Sequence, residues 1–222
     1  MTSDRTSRHR FDSLLNGLYL ILDERWSSRC LMPDVLREAG QAGVKLVQYR
    51  NTTGSMKQAY EVASLLRTIA KEFEMLFIAN DRCDLAMAVE ADGVHLGQTD
   101  LPLPLARQLV GDAMLIGVST HNPEQVRMAT EEGADYLGYG PIFPTSTKSH
   151  HDPVVGLQGM EHIRGLTPLP VFAIGGITPD SVAGLCQAGA NGVAVASGIL
   201  DALDRQHAFT QYLASFQPKD GS

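Results

Sequence analysis

The sequence predicts an α/β fold, a single-domain TIM (βα)8 barrel, from three observations. Short apolar runs alternate strictly with helix-length amphipathic stretches, the order that gives parallel strands joined by crossover helices. The runs are nearly continuous in apolar residues, as strands covered on both faces are. Eight such runs can be read along the 222 residues, and eight βα units close into a barrel in a chain of this size. A doubly wound open sheet is the runner-up. No G-x-G-x-x-G follows the first run, which counts against a dinucleotide site.

The elements follow in order. GLYLILD (17–23) is a short apolar run ending at an acid. Pro33 to Ala42 reads as a helix that stops at Gly43, and VKLVQYR (44–50) as a strand. Ser55 is a fitting N-cap for a long amphipathic helix to Phe73. MLFIAND (75–81) is a strand, then Leu85 to Glu90 a helix, GVHLG (93–97) a strand and Leu105 to Val110 a helix. LIGVST (115–120) precedes a helix from Pro123 to Glu132, and YLGYG (136–140) a long loop and a weaker helix from Leu157 to Ile163. VFAIGGI (171–177), a helix from Pro179 to Ala188, GVAVAS (192–197) and a helix from Ile199 to about Phe216 complete the pattern. The segments EADGV (90–94), GADYL (133–137) and GANGV (189–193) echo one another between a helix end and the next strand. They read as structural turns at the N-terminal ends of strands, with glycine relieving the helix stop.

Hydrophobic content of 44% is enough for a sizeable core. A net charge of −7 argues against a nucleic-acid or acidic-membrane partner drawn by bulk charge, but leaves room for a locally basic pocket. Cys30, Cys83 and Cys186 are far apart, without metal spacing, and read as free thiols of a reducing compartment. The polar N-terminus has no apolar signal core, and no run reaches a membrane span. The expectation is a cytoplasmic protein with residues 1–16 as a flexible tail, 17–216 as the catalytic barrel and 217–222 as a flexible end. Homo-oligomer formation stays open.

In an α/β barrel the chemistry sits at the C-terminal strand ends. Strand two ends in Gln48, Tyr49 and Arg50, strand three in Asn80 and Asp81, and strand five in Ser119, Thr120 and His121. Asp100 follows strand four. Asp81 and Asp100 suit Mg²⁺, which takes a few carboxylates, retained waters and phosphate oxygens; helix capping is the other use of an acid there. Arg50 suits a two-pronged grip on phosphate. After strand six, GPIFPTSTKS brings Thr145, Ser146, Thr147, Lys148 and Ser149, hydroxyl donors beside a cation. A solvated turn uses the same residue types. Gly175, Gly176, Ala196, Ser197 and Gly198, after strands seven and eight, form a second candidate anion site through backbone N–H groups, tight packing at the barrel rim being the other use of such residues there. Two anion sites on one rim suit the joining of two phosphorylated small molecules.

With QYR (48–50), ANDR (79–82), DGVHLGQTDLP (92–102), IGVSTH (116–121), GADYLGYGPIFPTSTK (133–148), AIGGI (173–177) and GVAVAS (192–197), the chain resembles the thiamine-phosphate synthase family over about residues 17 to 200. The resemblance implies a TIM barrel that joins hydroxymethylpyrimidine diphosphate to thiazole phosphate, giving thiamine phosphate and pyrophosphate. It implies Mg²⁺ on Asp81 and Asp100. It implies a pyrimidine diphosphate site of Gln48, Tyr49, Arg50, Asn51, Thr52, Asn80, Ser119 and Lys148, with Lys148, Ser119 and Arg50 as the catalytic groups. Thr145, Ser146, Thr147, Gly176, Ala196 and Ser197 would hold the thiazole phosphate. Pyrophosphate would leave first and the thiazole nitrogen would trap the pyrimidine cation.

The family usually carries QYREK or QFREK on strand two; here the segment is QYRNT. Asn51 and Thr52 thus stand in place of an acid and of a lysine that helps bind the diphosphate. His150 and His151 offer other cations nearby. Two further readings remain: an isomerase resembling the related thiazole tautomerases, using His121, and a binding paralogue whose chemistry has lapsed. The loop from Pro141 to Gly156 is expected to close over substrate.

Overall fold

The computed structural model describes residues 9–145 and 153–216. Eight parallel strands close a barrel in sequence order: β1 (Gly17–Asp23), β2 (Leu46–Arg50), β3 (Leu76–Asn80), β4 (Gly93–Leu96), β5 (Leu115–Thr120), β6 (Tyr136–Tyr139), β7 (Val171–Ile174) and β8 (Gly192–Val195). The outer layer is α1 (Met32–Ala42), α2 (Met56–Glu72), α3 (Cys83–Ala88), α4 (Leu103–Val110), α5 (Pro123–Glu131), α6 (Gly156–Arg164), α7 (Pro179–Gln187), α8 (Ser197–Leu200) and α9 (Arg205–Ala214). The barrel is therefore closed, not an open sheet. Ser55 does cap α2, accepting from the Gln58 N–H in a reciprocal capping box.

Each continuous apolar run divides between two cores because successive side chains point to opposite faces. Along β1, Leu18, Leu20 and Leu22 pack under the helices, while Tyr19 and Ile21 fill the barrel. Along β2, Val47 and Tyr49 face out and Leu46 faces in. The interior is aromatic: Tyr19, Tyr136 and Phe172 meet edge to face at centroid distances of 5.2 to 5.9 Å. Gly117 makes room for them, since a Cβ there would stand 2.1 Å from the Tyr136 ring.

Two expectations need correction. Residues 9–16 are not a loose tail: His9–Leu14 forms a 3-10 turn, and Phe11 and Leu15 are buried against the Tyr19 and Leu46 end of the barrel interior. Apolar side chains near the boundary at Gly17 thus close the N-terminal end of the barrel. Residues 1–8 and 217–222 lie outside the described residues. The final helix is two helices, α8 and α9, because Asp204 caps a new start by accepting from the His207 N–H at 2.9 Å.

The three echoing segments are one device used three times. Asp92, Asp135 and Asn191 each accept, on the side chain, the backbone N–H of a residue at the start of the preceding strand: Phe77, Ile116 and Val171, at 2.8 to 3.0 Å. Their own N–H groups donate back to the same three carbonyls at 2.8 to 2.9 Å. Arg67 on α2, Arg107 on α4 and Arg164 at the end of α6, each from the helix before the clamped pair of strands, bind the same side chains. These clamps tie strand starts together at the end of the barrel away from the site.

Candidate active site

Parity places the site. On the inward face of the strands, the apolar positions give way to polar ones toward the C-terminal ends: Asp23 after Ile21, Gln48 and Arg50 after Leu46, Asn80 after Ile78. These residues line one cavity that opens to solvent. Ser119 and His121 lie on the β5 side of it, and Thr145, Gly176, Ala196 and Ser197 on the far wall. Residues of both halves of the predicted site thus border one open cavity.

The floor is a run of hydrogen bonds through the barrel. Gln48 Nε2 donates to the Tyr19 hydroxyl at 2.7 Å, and the Tyr19 and Tyr136 hydroxyls are 2.8 Å apart. Tyr136 meets His95 Nδ1 at 3.2 Å, and His95 Nε2 meets Ser119 Oγ at 2.9 Å. Burial pushes both phenols well above the ordinary tyrosine range, so they stay neutral hydrogen-bonding groups. Tyr19 and His95 were not among the sequence candidates. The signal that finds them is parity: each sits on the inward face, two residues from another inward position.

The wall beside β1 is ionic. Asp23, only 1% exposed, receives Arg25 Nε at 3.0 Å and Nη2 at 2.7 Å, and Arg50 Nη1 at 2.6 Å. Burial alone would raise the Asp23 carboxyl. The hydrogen bonds from Arg25 and Arg50 outweigh it and hold the group below the ordinary aspartate value.

Other predicted residues fall elsewhere. The Tyr49 side chain points outward and donates to Glu24, off the cavity. Asn51 folds the loop after β2, its Oδ1 accepting from the Thr53 and Gly54 N–H groups, and Thr52 is exposed at that turn, outside the cavity lining. Asp81 adopts a left-handed conformation (φ 62°), held as its N–H donates to the His95 carbonyl at 2.8 Å. Aspartate enters this region more readily than most non-glycine residues. Asp100 Oδ2 accepts from the Gly97 N–H at 2.6 Å. The two acids stand in the loops after the paired strands β3 and β4, outside the cavity lining itself. No group of three or more metal-binding side chains occurs among the described residues.

His121 lines the cavity with Nδ1 held at 2.5 Å from the Gly140 carbonyl, fixing its ring. Ser146, Thr147, Lys148, His150 and His151 lie outside the described residues. The loop expected to close is tied at both ends. Ile142 and Phe143 N–H donate to the Ile174 and Gly175 carbonyls, and Val155 and Gly156 N–H to Pro141 and Ile142. Gly176 permits this close approach: a Cβ there would meet the Pro144 carbonyl at 2.7 Å. Among the described residues no helix is long and apolar enough to cross a membrane.

Comparison with known proteins assigns the scaffold. The sequence profile of the family described as thiamine monophosphate synthase matches residues 18–199. A thiamine-phosphate synthase of Natronomonas pharaonis is 42% identical over 86% of this chain and 91% of its own. One of Synechocystis sp. is 44% identical over 78% of this chain, which spans half of that longer protein. The solved thiamine phosphate pyrophosphorylase of Pyrococcus furiosus superposes with a TM-score of 0.83 at 34% identity, over 90% of this chain and 95% of that one. Sequence, barrel and cavity thus agree, and the chain belongs to the thiamine-phosphate synthase family of transferases.

Proposed function

We propose that this chain condenses 4-amino-2-methyl-5-hydroxymethylpyrimidine diphosphate with 4-methyl-5-(2-phosphooxyethyl)thiazole, or its carboxylated form, to thiamine phosphate and pyrophosphate. The observation that carries the reading is the single cavity whose β1–β5 side holds Gln48, Arg50, Asn80 and Ser119 and whose β7–β8 side holds Gly176, Ala196 and Ser197. The first side takes the pyrimidine and its diphosphate, the second the thiazole phosphate. Gln48 and Ser119, fixed by the hydrogen-bonded floor, present an amide and a hydroxyl to the flat heterocycle. Arg50 faces the diphosphate with a guanidinium that suits paired phosphate oxygens. Backbone N–H groups around Gly176 and Ser197 receive the thiazole phosphate. Holding both reactants in line turns a bimolecular step into an effectively unimolecular one. The pyrophosphate departs and the thiazole nitrogen closes on the pyrimidine methylene, with Lys148 on the leaving-group side.

Asp81 and Asp100 suit Mg²⁺. Two carboxylates after adjacent strands fall short of a closed protein cage, and magnesium is commonly held by one or two carboxylates, waters and substrate phosphates. When bound it would offset the charge growing on the departing pyrophosphate.

The test is turnover of the two substrates with Mg²⁺ or with EDTA. Thiamine phosphate should form with Mg²⁺ and fall to background with EDTA. Asp81→Ala with Asp100→Ala should lower kcat/KM at least 100-fold, about 2.7 kcal/mol, with an unchanged circular dichroism spectrum. Wild-type rates in the double variant would remove the metal assignment, and no product under any condition would remove the synthase reading.

A further inference from the structure

We propose that Arg25 is a second phosphate-binding cation of this site and that it acts on the diphosphate beside Arg50. The inference rests on the synthase reading above for the identity of its ligand, but the geometry stands by itself. Among the described residues, Arg25 and Arg50 are the two lysine or arginine side chains that line the cavity. Both are held by one buried carboxylate, Asp23, so the cluster carries one surplus positive charge facing the cavity. Arg25 Nη2 and Arg50 Nη1 share a single oxygen, Asp23 Oδ2, at 2.7 and 2.6 Å. The two nitrogens therefore stay within two hydrogen-bond lengths of each other, a spacing that lets adjacent phosphoryl groups of one diphosphate engage both.

The Arg25 head is preorganised. Asp23 takes its Nε and Nη2, the Arg25 N–H donates to the same carboxylate at 3.0 Å, and the guanidinium lies 5.2 Å over the Trp26 ring. Trp26 is itself anchored, its Nε1 donating to Asp201 at 2.8 Å. Among the described residues the Nη1 group of Arg25 makes no hydrogen bond, and the side chain is 35% exposed, so it has donors to give. A guanidinium fixed on one edge and open on another needs little further ordering to receive an anion. A surface ion pair would need neither the buried acid nor the cavity wall.

The charge count makes a sharp expectation. Without Arg25, Asp23 neutralises Arg50 and the surplus is gone. In Arg25→Gln the KM for the pyrimidine diphosphate should rise at least tenfold, while the KM for thiazole phosphate stays within twofold. Arg25→Lys should recover part of the loss. Inorganic pyrophosphate binding by calorimetry supplies a readout independent of turnover, and Arg25→Gln should weaken it at least fivefold. A cooperative thermal transition and an unchanged circular dichroism spectrum for Arg25→Gln itself guard against a folding defect in that variant. Unchanged KM and pyrophosphate affinity would reduce Arg25 to an ion-pair partner. A rise in the thiazole phosphate KM instead would move it to the other anion and overturn the proposal. A wild type that binds pyrophosphate through Arg25 yet makes no thiamine phosphate would refute the synthase reading while leaving the anion site in place.

Discussion

Asp23 concentrates the chemistry of single residues here. It ends an apolar strand, is almost wholly buried, and survives ionised because two arginines meet it. Its folded-state titration lies below the ordinary value of 3.8. The sign follows by linkage: its contribution to stability is present above 3.8 and is lost as pH falls through the lower folded value. Asp23→Asn should cost about 1.5–3 kcal/mol at pH 7, and the gap to wild type in urea midpoints should narrow in acid below pH 3.8. A gap independent of pH would show that the carboxylate's charge is not what matters. Sequence reading found Arg50 but passed over its partner, because an acid after an apolar run looks like a strand end. It also took Tyr49 for a site residue. Tyr49 adjoins two cavity residues in sequence, yet the pleat turns it outward.

At the scale of elements, all eight strands and seven of the nine helices of the described residues were legible, with ends shifted by at most three residues. The periodicity that reveals a strand does not reveal where its last hydrogen bond falls, and a helix break at residues 201–204 rests on one capping aspartate. The turn echoes were legible as structure, but not the reciprocal bonds in them. In each, a side chain reaches back over about 15 to 20 residues to a strand start. Asp135→Ala would leave the Ile116 N–H without its side-chain acceptor and the partly buried Arg107 without its carboxylate partner, its bonds to the Gly111 and Met114 carbonyls remaining. The expected loss is about 1–3 kcal/mol in chemical denaturation, with KM for both substrates unchanged because this clamp lies at the opposite end from the site. A shift in KM without a loss of stability would contradict that separation.

Across the whole molecule, the hydrogen-bonded floor joins five strands, β2, β1, β6, β4 and β5, through Gln48, Tyr19, Tyr136, His95 and Ser119. Distant residues meet there, which a reading of strand ends one at a time does not anticipate. With the Gln48 amide donating, the order in which each hydroxyl passes its proton onward has His95 receiving at Nδ1 and donating from Nε2. The ¹⁵N spectrum of the labelled protein should show His95 as the Nε2–H tautomer, and Tyr136→Phe should mix the two tautomers. The opposite tautomer in the wild type would reverse the whole order. Gln48 and Ser119, at the two ends of the row, are linked through the three groups between them. A substitution that resets either end rewrites what the other can recognise.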